Sequence, residues 1–502
     1  MENKSLEGGN PKMTLPVEQK LPFLGWIHGV NQDNNSWHIR DFDIKIAELI
    51  DAAIDGRVSK ILLSVPSRHG KSTLISKYLA SYFLSYYPND HVILSAYSQS
   101  LASQFGGQVK DIINYYGESL SPYHVRLSTD SHAKNKFNLA GYDGQMIAVG
   151  ANGSLMGFGA GLFIVDDPIK NVADADSETK QNNLREWFNG VVRSRLEKRT
   201  NGRPPIIIVI AQRLHLKDLH GIIKESSPYI DGMEAFNILD NGGTIPFNTW
   251  VDLNIPAICT DPTNDILGRK PGEVLWPYQR DYEWLMNEKK EIGSYLFNAI
   301  YQGRPQERDG NIFRREWFMN TDTNEIYRQL GPDEYPYDLP HMRYWDFGAS
   351  GKKGDATSGA LTGWDGTNLY IQNINSGKYT ASQVLNTFET TALKDGTSVK
   401  IRIEQEPGAG SKLLINQFRR NPTFKHYNIR GDKVKLKKNV RSFNLEALAE
   451  AGRIYWLGGE WNIDIIDHLV SFTGQDGKPD DITDSLTGSC NIWRRPKRKI
   501  NV

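Results

Sequence analysis

The 502-residue chain has only two cysteines, Cys259 and Cys490, far apart in sequence. That scarcity excludes a disulfide framework and a thiolate zinc site, and it suits a reducing compartment. Long apolar runs are missing too: no stretch reaches the roughly 18 apolar residues of a membrane-spanning helix. Residues 1–20 (MENKSLEGGNPKMTLPVEQK) lack the apolar core of a secretion signal and read as a disordered lead-in, within a flexible segment spanning 1–35. Net charge is absent, with 59 Lys and Arg against 59 Asp and Glu, so composition alone points to no charged partner. No internal repeat or low-complexity tract breaks the chain. What remains is length enough for two or three domains, each with its own core. Charge is instead concentrated locally, in the basic stretches 430–441 (RGDKVKLKKNVR) and 493–499 (WRRPKRK). Such runs serve either as solvated faces or as phosphate-binding surfaces.

The segment ILLSVPSRHGKST (61–73) reads as a buried strand, a tight turn and the start of a helix. Ser67, Arg68, His69, Gly70, Lys71, Ser72 and Thr73 form the candidate nucleotide cradle. Gly70 permits close approach of backbone to ligand, Lys71 can reach β- and γ-phosphates, and the Ser72 hydroxyl can serve magnesium. The helix opening there turns its positive end to the anion. The pattern departs from G-x-x-x-x-G-K-[ST]: Pro66 stands in the first glycine's place, one residue closer. Arg68, inside the loop, either neutralises charge developing in phosphoryl transfer or ties the loop to a nearby acid.

Residues 36–220 alternate short apolar strands (60–65, 91–96, 145–150, 162–165, 205–211) with helical stretches, the pattern of a parallel sheet buried on both faces. The strand LFIVDDP (162–168) ends in two acids; Asp166 would support magnesium and Asp167 orient the attacking water. The strand at 205–211 exits into Gln212 and Arg213, either of which could sense a γ-phosphate beyond the strand ends. Residues 221–305 read as a lid or connector, and 306–340 as a linker rich in Pro, Gly and Asp.

A second pattern occupies 341–490: strands at 342–347, 360–364 and 369–374 with a hairpin turn at WDGT (364–367), a helix at 382–393, a strand at 399–404 and a helix near 412–419. This is the strand and helix order of a ribonuclease-H-like sheet. Asp346 lies on the first strand, Glu404 and Glu406 at the end of a later one, and Asp481 and Asp484 three apart on one face of a helix opening at PDDITDSL (479–486). Spacing does not choose between Glu404 and Glu406; Glu404 is the first acid after the apolar run. Asp480 and Asp481 also suit a helix N-terminus. Carboxylates gathered from such distant positions repel one another unless cations intervene. Two magnesium ions would relieve the repulsion and serve phosphodiester cleavage, with manganese as an alternative. Lys433, Lys435, Lys437, Lys438 and Arg441 lie between these acids and could bind phosphates beside a cut without reading sequence.

Taken in order, PSRHGKS, IVDDP, AQRLH (211–215), Asp346, Glu404 and DDITD (480–484) resemble the large terminase subunit of tailed bacteriophages. Supporting segments are GSLMGFGA (153–160), WFNGVVRSR (187–195), YQGRP (301–305) and AEAGR (449–453). The resemblance implies an α/β chain with an N-terminal P-loop ATPase (36–220), a small lid, a ribonuclease-H-like nuclease (341–490) and a basic tail (491–502). It implies ATP on Lys71 and Ser72, metal and water handled by Asp166 and Asp167, and nuclease metals on Asp346, Glu404 and Asp484 with Asp481. Trp37, His38 and Arg40 match the region that approaches adenine. Relatives often carry an arginine where Phe158 stands; Arg193 and Arg195 are the substitutes expected to reach a neighbouring subunit. The implied work is ATP-driven packaging of double-stranded DNA into a procapsid and cutting of concatemers in the host cytoplasm. The implied partners are the portal protein and a small terminase subunit, with no membrane, and a homo-oligomeric ring when packaging against a monomer in solution. The rival readings are a helicase-nuclease of repair and a nucleotide-gated capsid assembly factor without turnover.

Overall fold

The computed structural model describes residues 21–32, 37–131, 133–151, 153, 155, 157–307, 310–348, 356–405, 410–474 and 480–495. The lead-in at 1–20, Glu406 and the tail from 496 onward therefore lie outside the described residues. The chain divides into two compact units: Met1–Pro277 with Ile300–Gly303, and Tyr278–Ala299 with Arg304–Val502.

The first unit is built on an eight-stranded sheet of β1 (Lys60–Ser64), β2 (His91–Ala96), β3 (Lys136–Asn138), β4 (Gln145–Gly150), β5 (Leu162–Asp166), β6 (Ile206–Ile210), β7 (Tyr229–Asp231) and β8 (Trp250–Asn254). Its order is β3-β4-β2-β5-β6-β1-β8-β7, parallel except for the β3–β4 edge pair. Alternation along each strand feeds two cores. Ile61, Leu63, Val92, Leu94, Leu162, Ile164, Ile206 and Ile208 face one layer of helices. Leu62, Ile93, Phe163, Val165, Ile207 and Val209 face the other. Side chains on successive residues of a strand point to opposite faces, so continuous apolar runs are what a doubly covered sheet requires. The stretch 221–305 supplies more sheet than its irregular sequence foretold: β8 pairs in parallel with β1.

The second unit holds a seven-stranded sheet: β9 (Gln329–Leu330), β10 (His341–Asp346), β11 (Thr357–Trp364), β12 (Leu369–Gly377), β13 (Lys400–Gln405), β14 (Ile429–Lys433) and β15 (Ile454–Leu457). The order is β14-β13-β10-β11-β12-β15-β9. β10, β11 and β12 are antiparallel neighbours, while β13 and β14 run parallel to β10. This is the ribonuclease-H-like arrangement expected from the order of strands and helices. At the β11–β12 turn, Asp365 accepts from the backbone N–H groups of Thr367 and Asn368, and Gly366 takes φ of 105°, the left-handed region that glycine tolerates.

The helix Asp481–Trp493 crosses the face of β10 and β11. Small residues bring it close: Ser485 meets Ser358 at 2.9 Å, and Gly488 lies directly on the ring of Tyr344. Both cysteines are buried free thiols. Among the described residues no helix is long and apolar enough to cross a membrane.

Candidate functional sites

In the first unit, β1 runs into the turn 65–70 and then a helical segment, Thr73–Leu79, with i→i+5 geometry, continued by the helix Ala80–Tyr86. Wide turns of this kind recur at functional sites. Gly70 has φ of 84°, and a Cβ there would lie 2.5 Å from Trp37 Cη2 and 3.0 Å from Arg40 Nη2. Only glycine fits both the backbone and the space. Arg40 is held by two hydrogen bonds to the buried Asp43, at 2.7 and 2.9 Å. Its guanidinium lies 4.4–4.5 Å from the centroids of Trp37, Phe42 and Trp276. This aromatic and cationic block backs the loop and fixes its path.

Lys71 is buried, with Nζ 3.4 Å from Asp167 Oδ2. The Ser72 and Ser76 hydroxyls donate to the two oxygens of Asp166 at 2.9 and 2.6 Å. Burial, then the charge of Asp167, pushes the Asp166 carboxyl up to about 6 against the opposing pull of Ser76, Lys71 and Ser72. Gln212 donates its backbone N–H to Asp167 Oδ1 at 2.6 Å, while Asp167 itself sits at φ of 42°. Lysine, serine and two acids therefore converge beyond the carboxyl ends of β1, β5 and β6, where ligands of open parallel sheets bind. The donors suit a nucleotide with a divalent cation: a hydroxyl and a carboxylate for the ion, a buried ammonium for phosphate, and a glycine that admits close backbone approach.

Some candidates stand differently. The His69 ring is buried, its Nδ1 2.9 Å from the Ser67 carbonyl and its face against Phe42 and Trp276. Only its backbone can serve an anion. Arg68 is exposed, with φ of 64°. Arg213, proposed as a phosphate sensor, is buried in an ion pair with Asp218 at 2.8 Å. Its guanidinium is a structural partner there, which the short spacing to Asp218 could have signalled. Arg193 and Arg195 lie on a short 3₁₀ turn, with Arg193 exposed.

In the second unit, Asp346 closes β10, Glu404 lies near the end of the adjacent β13, and Asp481 and Asp484 open the helix laid across β10. Asp346 feels all three: burial, then Glu404, Asp484 and Asp481, hold its carboxyl well above the ordinary range. Two cations sit among these acids. Arg441 Nη1 donates to Glu404 Oε1 at 2.9 Å and lies 3.8 Å from Asp484 Oδ1, while Nη2 binds Glu404 Oε2. Lys438 pairs with Asp480 and, at 3.1 Å, with Asp484. Burial acts against both cations, yet the acids outweigh it and raise both above their ordinary range. Of the residues expected to bind DNA, Lys433 and Lys437 are exposed and Lys438 is half-buried. Arg441 is turned inward and only 7% exposed, so its guanidinium faces acids rather than solvent.

Asp432 belongs to this cluster and escaped notice inside a basic stretch. It pairs in register with Glu404 across β13 and β14, accepts from Tyr344 Oη at 3.2 Å and bonds Arg495 at 2.7 Å. Its place at an alternating strand position was the available signal. Among the described residues no three His, Cys, Asp or Glu side chains form a ready-made set of metal ligands. Glu404, Asp480 and Asp484 are instead directed at Arg441 and Lys438. By charge and donor type they fit divalent cations; by present orientation they are closed on side-chain cations.

Residues 343–490 match the family model of the terminase RNaseH-like domain. The match runs from within β10 into the helix Asp481–Trp493. No curated protein matches the chain. Among solved structures, the large terminase of a thermophilic bacteriophage is similar at 11% identity with a TM-score of 0.48, over 89% of this chain and 98% of that one. The HK97 bacteriophage large terminase is similar at 13% identity with a TM-score of 0.36, over 91% and 95%. The nuclease domain of the thermophilic phage G20c large terminase is similar at 17% identity with a TM-score of 0.25, over 36% and 96%.

Proposed function

We propose that this chain, whose second unit carries a terminase RNaseH-like domain, works as a terminase large subunit: an ATP-driven motor that moves double-stranded DNA into a procapsid and cuts it between rounds. The observation that carries the reading is the joining, in one chain, of this domain and its acid cluster to a built phosphate loop.

On this reading Lys71 neutralises the β- and γ-phosphates, and the Ser72 hydroxyl and Asp166 would hold the cation that accompanies the nucleotide. Asp167, steadied by the Gln212 backbone N–H, orients the water that attacks the γ-phosphate. Arg193, exposed on its short turn, is the cation offered to a neighbouring subunit in a ring. In the second unit Asp346, Glu404 and Asp484, with Asp481 beside them, would hold divalent cations, magnesium or manganese. Such cations would supply an activated water and neutralise the leaving oxygen. Lys433 and Lys437 bind the flanking phosphates and position the duplex without reading it. The portal, a small terminase subunit and the host cytoplasm complete the proposal.

Two variants test it. Lys71→Ala should abolish ATP hydrolysis in a phosphate-release assay while leaving metal-dependent nicking at high enzyme concentration. Asp346→Ala should abolish nicking and spare ATP turnover. Full ATPase activity in the first removes the motor; unchanged cleavage in the second removes the nuclease site. Strand separation on forked DNA would favour the repair helicase instead.

A further inference from the structure

Arg441 stands where a cation bridging strand and helix would have to stand. Its guanidinium spans Glu404, on β13, and Asp484, on the helix across β10. Lys438, three residues earlier on the same short helix Lys438–Arg441, bridges Asp480 and Asp484. The backbone of this helix is pinned, since Asn491 donates to the Arg441 carbonyl at 3.0 Å. The Lys438 and Arg441 side chains can turn outward with that bond intact. A guanidinium and a divalent cation cannot share the space between Glu404 and Asp484, because like charges at such separation in a buried site repel strongly.

The same segment leads outward. Lys433, Lys435 and Lys437 precede Lys438 and are exposed, so a basic face adjoins the acid cluster on one continuous stretch. Phosphates arriving at that face offer Arg and Lys a competing set of anionic oxygens. Guanidinium in particular pairs bidentately with phosphate as it does with carboxylate.

We propose that Arg441 and Lys438 are displaceable counter-ions that close the acid cluster to divalent cations until DNA phosphates draw them outward, so that metal and DNA bind cooperatively. The proposal rests on the nuclease reading above and adds to it the order of events: the duplex opens the metal site. It also makes Arg441 a positioning residue with a defined sign. If Arg441 merely oriented metal ligands, its loss would weaken metal binding. As a competitor, its loss must tighten it.

The test measures binding, not cleavage. Manganese is titrated calorimetrically into the full chain carrying Asp166→Asn, which silences the nucleotide-site ion. The parent is compared with Arg441→Gln, Arg441→Lys and Lys438→Gln, after thermal melting shows which variants are folded. In the absence of DNA, Arg441→Gln and Lys438→Gln should bind manganese more tightly than the parent, by about tenfold for a coupling of ordinary size. In parallel, the anisotropy of a labelled duplex is followed with calcium or with chelator. Calcium should tighten duplex binding to the parent by a similar factor, because coupling between two ligands is reciprocal. That factor should shrink in Lys438→Gln, whose half-exposed site tolerates the change even if Arg441→Gln fails to fold. Manganese affinity equal to or weaker than the parent's in the folded variants overturns the proposal while leaving the metal site standing. So does a duplex affinity indifferent to calcium in a parent that binds manganese. Absence of manganese binding in the folded Arg441→Gln and Lys438→Gln variants, from which a competing cation has been removed, overturns both this proposal and the nuclease reading.

Discussion

Replacing Gly488 by alanine should separate the two activities proposed for this chain. Gly488 lies in the helix Asp481–Trp493, one turn beyond Asp484, and faces Tyr344 on β10. A Cβ built there would be 2.2 Å from Tyr344 Cε1 and Cζ. Carbon atoms in contact need about 3.5 Å, so the helix or the ring must yield by about 1.3 Å. The ring has little freedom: it is fully buried, and its hydroxyl is tied to Asp432 at 3.2 Å and to Glu404 at 3.4 Å. The helix therefore withdraws, carrying Asp481 and Asp484 away from Asp346 and Glu404. Overpacking of this kind costs about 1–3 kcal/mol of stability. A displacement of about 1 Å at a reacting centre costs about a hundredfold in rate. Nicking of supercoiled DNA with manganese should accordingly fall by about that factor, with ATP turnover unchanged. Thermal melting should show the second unit destabilised. If the steric reasoning is right, adding Gly488→Ala to a Tyr344→Ala background should cost almost nothing further, because the opposing ring is gone. Parent-like nicking and melting in Gly488→Ala, or full additivity in the double variant, would refute the account.

Gly70→Ala should lose ATP hydrolysis and nucleotide binding together. A left-handed backbone costs an alanine about 1–2 kcal/mol, and the new methyl also strikes Trp37 and Arg40; retained nucleotide affinity by equilibrium dialysis would count against the cradle. His220 makes a pH-dependent contribution that melting can isolate. It is buried beneath the phosphate-loop strand, its Nε2–H donating to the Val209 carbonyl at 3.0 Å and its Nδ1 accepting from the Ser64 hydroxyl at 3.2 Å. Burial, then the charge of Arg213, pushes its pKa down to about 4 from 6.5. The unfolded chain thus binds more protons than the folded one between those values, and stability falls as the pH drops from 6.5 toward 4, by about 3 kcal/mol for this group. The stability difference between the parent and His220→Gln should shrink over that interval, and parallel curves would show that the imidazole is not held neutral.

Much of the molecule could be read from local pattern. Continuous apolar runs at β1, β2, β4, β5 and β6 marked strands covered on both faces, because alternation is lost when both faces are buried. Gly70, Lys71, Ser72 and the paired acids after β5 were visible because phosphate chemistry demands particular residue types in short order. The strand and helix order of the second unit likewise announced its sheet. Tertiary structure alone decided the rest, since pairing partners are chosen by contacts between residues far apart in the chain. It put β6 between β1 and β5, so the loop lysine meets Asp167 across an intervening strand. It added β8 to the sheet beside β1, where the sequence looked irregular. It turned His69 into an aromatic block and Arg213 onto Asp218, since a buried ring or guanidinium goes to the partners that satisfy it. And it drew Arg441 from a basic run into a nest of carboxylates, because charge on a residue says what it will pair with, but only the fold brings the pair together.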